Sequence, residues 1–122
     1  MQLFLKKLHK NLKGKEMTKY ERASQLWPLL TMAAKNHQIL TYDLVSKCTG
    51  IPRPAIGKFL EPIQLYCMKK EIPPLTSLVV SEKTGLPGVG FIGAQDVPLA
   101  HIEVFNFDWL DWGCPSVDKL AK

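Results

Sequence analysis

The feature that constrains this chain most is a spacing: Ser46, Gly50 four residues later and Ile56 six after that, within the stretch from Leu44 to Phe59. A small residue at the first position lets a second helix approach closely. Glycine at the second supplies a left-handed turn, and Ile51, Ile56 and Phe59 fill the angle between the two helices. This is the arrangement of a helix-turn-helix unit. The plainer structure with the same spacing is an αα-corner that has no role with nucleic acid.

The flanking residues extend the pattern. Ala23, Leu26, Trp27, Leu30, Ala33 and Ala34 share one face of a helix predicted over residues 19–36. Pro28 falls inside it, so the helix either kinks there or a new one starts at Trp27. Thr41 caps a short helix over residues 42–48 that ends at Gly50. A third helix starts near Arg53, with Pro54 in its first turn, and carries Ile56, Phe59 and Leu60. Pro62 is expected to break or restart it before Ile63, Leu65, Tyr66 and Cys67 continue in phase to Lys70.

Beyond Pro73-Pro74, residues 75–81 are rich in β-branched side chains and predict a strand. Residues 82–88 carry turn chemistry, and 89–92 predict the returning strand. Helix, helix, hairpin is the order of a winged helix-turn-helix: an α+β fold, mainly helical, with one β-hairpin wing. In the tail, Leu99, Ile102, Phe105, Trp109 and Trp112 fit a helical stripe, while residues 104–109 also alternate like a strand. Helix is the favoured reading.

A length of 122 residues with 46% apolar content supports one domain over residues 17–122, with a core that needs no disulfide staples. Cys48, Cys67 and Cys114 are odd in number and form no C-x-x-C pair, which argues against a disulfide framework and against a zinc site. A reducing, cytoplasmic setting fits them. No apolar run approaches the roughly 20 residues that cross a bilayer, so no membrane association is expected.

Of the net charge of +5, residues 1–16 contribute +4 through Lys6, Lys7, Lys10, Lys13 and Lys15 against Glu16. Two readings of this basic arm stay open. Gly14-Lys15-Glu16 before Met17 corresponds to a purine-rich coding tract of the kind that serves as a bacterial ribosome-binding site, which makes residues 1–16 a translated leader. Leu5, Leu8 and Leu12 among lysines instead suit a short amphipathic helix. From Met17 onward 11 basic residues face 10 acidic ones; residues 20–93 are mildly basic and residues 94–122 acidic.

Thr41-Tyr42-Asp43-Leu44, then Ala55-Ile56-Gly57, then Pro73-Pro74 leading into Leu78-Val79-Val80 run in the order found in a known group. Over about fifty residues, 40–92, the chain resembles the DNA-binding domain of DNA alkyltransferases and alkyltransferase-like proteins. The resemblance implies a winged helix-turn-helix in which the threonine-tyrosine pair opens the first helix and the arginine-containing segment before Gly57 forms the recognition helix. It also exposes a departure. Pro74 or Leu75 stands where the group carries its acceptor cysteine, and no histidine or arginine follows, so alkyl transfer is not expected. Where the group has a base-extruding arginine this chain has Pro54, with Arg53 one residue early.

The remaining constellations are weaker. His9, His37 and His101 are far apart and read as surface histidines, solvated or hydrogen-bonded, rather than as metal ligands. Asp108 and Asp111 would share a helix face beside Trp109 and Trp112; they read as a protein-contact surface because no partner for acid-base chemistry is present. Gly85, Gly88 and Gly90 suit a wing turn, since no Gly-Lys-Ser/Thr follows to make a phosphate loop.

The expectation is therefore a non-catalytic protein without cofactor or metal. It would bind double-stranded DNA as a small regulator or as the DNA-contacting component of a bacterial or mobile-element system. Arg53, Lys58 and Gln64 are the candidate base readers, Tyr42 is kept from the family pattern, and Lys47, Lys69, Lys70 and Lys83 are available for phosphates. Four lysines give modest affinity, which a homodimer, a larger assembly or the N-terminal arm would raise. The alternative is a protein-interaction module, such as an immunity or antitoxin-type inhibitor, that docks through Asp108, Trp109, Asp111 and Trp112.

Overall fold

The computed structural model describes residues 17–122; the two readings of residues 1–16, and His9, lie outside the described residues. Helix α1, Lys19–Lys35, is capped by Thr18, whose Oγ1 accepts the Glu21 N–H at 3.1 Å. Its apolar stripe is the one the spacing predicts: Ala23, Leu26, Trp27, Leu30, Ala33 and Ala34 are all buried. Pro28 neither ends nor restarts the helix. It lies on the exposed face, where the carbonyl one turn back that it leaves unpaired can be hydrated.

Strand β1 is only Leu40–Thr41, and Thr41 also caps α2, Tyr42–Thr49, by accepting the Leu44 N–H at 3.0 Å. Gly50 ends α2 at φ 77°, a left-handed conformation that a side chain would strain. Ser46 does more than keep the turn small, because its hydroxyl donates to the Ile51 carbonyl at 2.6 Å. Arg53–Ala55 then form a single 3-10 turn that leads into α3, Ile56–Lys70. Pro62 lies within α3 without breaking it, contrary to the sequence expectation.

The hairpin does not form. Leu75–Leu78 wind into a 3-10 turn, and only Val79–Val80 extend, as β2. This strand pairs in parallel with β1, in the register Leu40 with Val79 and Thr41 with Val80. A parallel pair needs a long crossover, which α2 and α3 supply. Residues 89–92 adopt no strand. The described residues are thus mostly helical with one small parallel pair, an α+β arrangement.

The tail is helical but not as one stripe. Helix α4, Val97–Asn106, buries Ala100, His101 and Val104 and leaves Leu99 and Ile102 exposed. Phe107 is extended, Asp108 caps α5, Trp109–Trp112, and Ser116 caps α6, Val117–Ala121. Trp27 centres the core: its ring meets Tyr66 and Trp109 edge-on, each with centroids 5.7 Å apart. Such paired aromatics combine large buried area with favourable edge-to-face geometry.

Candidate functional site

The corner between α2 and α3 and the loop after β2 enclose a groove of about 370 Å³. Tyr42 of α2, Arg53, Gly57, Lys58 and Gln64 along the 3-10 turn and α3, and Pro87 to Phe91 of the loop contribute most of its wall. Side chains hold the loop in place of a strand ladder. The Tyr42 hydroxyl accepts the Gly88 N–H at 3.0 Å. The Gln64 amide donates to the Gly90 carbonyl at 3.2 Å and accepts the Ile92 N–H at 2.8 Å.

Those two backbone groups flank Phe91, as the partners of one peptide in a parallel ladder would. Gln64 thus substitutes for a neighbouring strand, which is the physical reason the return segment needs none. A Cβ at Gly88 would lie 2.5 Å from the Tyr42 hydroxyl oxygen, so a side chain there would displace the tyrosine from its hydrogen bond.

The sequence-predicted DNA residues separate into three groups. Arg53 and Lys58 are exposed, close in sequence and both on the groove, and neither forms an ion pair among the described residues. Tyr42 joins them in the wall but is occupied with Gly88. Lys83 is exposed in the loop, while Lys47 is exposed and reaches its own helix neighbour Asp43 at 3.3 Å. Lys69 and Lys70 are exposed at the opposite end of α3, roughly 17 Å along the axis from Lys58.

Gln64 is corrected from base reader to loop clamp: it is buried and both ends of its amide are engaged. Its sequence signal was legible, for Gln64 falls on the same α3 stripe as Leu60, Ile63 and Cys67. A polar residue on an apolar stripe needs a partner inside the protein.

The tail is corrected as well. Trp109 is only 5% exposed and donates its indole N–H to the Val104 carbonyl at 2.8 Å, so it belongs to the core and offers no docking surface. Trp112, partly exposed, donates to the Tyr66 hydroxyl at 3.0 Å. Asp108 and Asp111 are exposed, but the Asp108 carboxylate accepts the Asp111 N–H as a helix cap. His101 is not a surface residue: its ring nitrogen lies 2.7 Å from the Ser77 carbonyl oxygen in a buried position.

Cys67 is buried in the core, and burial pushes its thiol up to about 11, partly offset by a hydrogen bond from the Leu75 backbone. It is held as a neutral thiol, unsuited to nucleophilic attack near neutral pH. Among the described residues no three His, Cys, Asp or Glu side chains are grouped to hold a metal, and no helix is long and apolar enough to cross a membrane.

No protein-family model, no curated protein and no solved structure matches this chain. The likeness to the alkyltransferase group rests on the quoted residues alone.

Proposed function

We propose that this chain is a non-catalytic DNA-binding protein built on a winged helix-turn-helix whose wing is reduced to a clamped, strandless loop. The observation that carries the reading is the pair Arg53 and Lys58: two exposed cations at the start of α3, without acidic partners among the described residues, beside a loop that carries Lys83. In this reading the start of α3 enters the major groove, the loop lies on the sugar-phosphate backbone, and Lys47 and Lys83 contact phosphates. Gln64 takes no part, and Lys69 and Lys70 are too far along α3 to act at the same place.

Retention on a duplex is expected to weaken with salt, with a slope of about −0.9 per phosphate contacted. Arg53→Ala combined with Lys58→Ala is expected to abolish retention in an electrophoretic shift run at low salt. Unchanged retention by the double variant would reject the reading.

A second reading is favoured by one observation. Leu99 and Ile102 on the apolar helix α4 are 50% and 55% exposed, and Leu110 on α5 is 70% exposed. A protein-interaction module would dock through these residues, with Asp111 and Trp112 at its rim, rather than through Trp109. It predicts a partner whose binding is lost on Ile102→Ser, equally at low and high salt.

A further inference from the structure

We propose that the groove between α3 and the loop is a binding site for a small, mainly apolar molecule that carries one anionic group. Four features of the wall support this. Its size, about 370 Å³, falls within the range of small-molecule sites. The wall is apolar on the loop side through Pro87 and Phe91, and open on the helix side, where a Cβ at Gly57 would meet nothing within 4 Å.

Third, Thr76 forms part of the wall, is only 4% exposed, and has a buried hydroxyl with no hydrogen-bond partner. Buried hydroxyls are normally paired; this one has almost no exposed surface, so a ligand's polar group would reach it only with a small shift of the wall. Ser77 also has an unpaired hydroxyl, but it does not line the groove.

The fourth feature is charge. Arg53 and Lys58 line the groove, and its acidic residue, Glu61, is already held by Lys19 at 2.8 Å. The uncompensated charge on the wall is positive, so the complementary ligand brings an anion, such as a carboxylate, to this side.

The test uses the full chain without DNA, so a chain that fails to bind DNA still tests the site. Isotope-labelled protein is titrated with 2-naphthoate while backbone amide resonances are followed. Saturable shifts are expected, centred on Gly57, Thr76 and Gly90, and neutral 2-naphthamide is expected to bind several-fold more weakly.

Thr76→Val removes the hydroxyl at constant shape. It is expected to leave the fold at least as stable, since it deletes an unpaired buried group, and to weaken naphthoate by about fivefold, the order of one net hydrogen bond. Gly57→Leu fills the groove from its open side and is expected to abolish the shifts while the rest of the spectrum stays folded. No saturable shift at millimolar naphthoate, shifts scattered over the surface, or equal affinity in the parent and both variants would overturn the proposal.

Discussion

Two polar-rich regions of this molecule use their side chains in opposite ways. In the tail, the polar atoms of the aromatic residues face inward: Trp109 donates to the Val104 carbonyl, Trp112 to the Tyr66 hydroxyl, and His101 lies against the Ser77 carbonyl. At the α2–α3 corner, buried polar groups position a loop, and the cations beside it remain exposed. The difference teaches where recognition chemistry can reside. A tryptophan whose ring and N–H are both used inside has little left for a partner, whereas Arg53 and Lys58 have no acidic partner among the described residues.

This contrast can be broken most directly at Trp109. Trp109→Ala removes a buried ring that touches Trp27, and a loss of about 3–5 kcal/mol is expected in chemical denaturation. A loss below about 1 kcal/mol, at the level of ordinary surface substitutions, would return Trp109 to the surface and restore the tail as a docking site.

Gln64→Leu tests the other region. It leaves the Gly90 carbonyl and the Ile92 N–H without their side-chain partner, and a cost of about 1–3 kcal/mol is expected. Hydrogen exchange at the Ile92 amide should accelerate while amides in α1 keep their order of protection. Uniform acceleration would show that the loop and core open together, and the distinction between the two regions would fail.

The smallest effect is expected at Lys47, whose ion pair with Asp43 is surface-exposed and follows i,i+4 spacing. Lys47→Ala should change stability by less than about 0.5 kcal/mol. Its effect on duplex retention sharpens the comparison: weaker retention with unaltered stability marks Lys47 as a corner residue used for binding, and loss of both marks it as structural.

Much of the helical frame was legible because local signals agree with one another there. The α1 stripe, the Thr41 cap and the Gly50 turn each follow from residue type and spacing. Of the two prolines it was Pro62 that was misread, since α3 runs through it without a break, while the continuous α1 excludes a new helix at Trp27. The tail stripe was also misread, because Leu99 and Ile102 match Phe105 in period but the chain buries the neighbouring face through Ala100, His101 and Val104. Periodicity identifies a helix more readily than it selects which of two apolar faces goes inside.

Residue order alone determined the Ser46, Gly50 and Ile56 spacing, the near-neutral balance of charge after Met17 and the absence of a cysteine at positions 74 and 75. Each is a property of residue type at a position and needs no partner. Tertiary structure decided the rest: β2 pairs with β1 instead of folding back, and Gln64 clamps a loop instead of reading bases. Tertiary contacts also bury Trp109 and leave the Thr76 hydroxyl unpaired in a groove wall. These outcomes depend on groups distant in sequence, such as Gln64 with Ile92 and Tyr42 with Gly88, and only the packed core determines which of them meet.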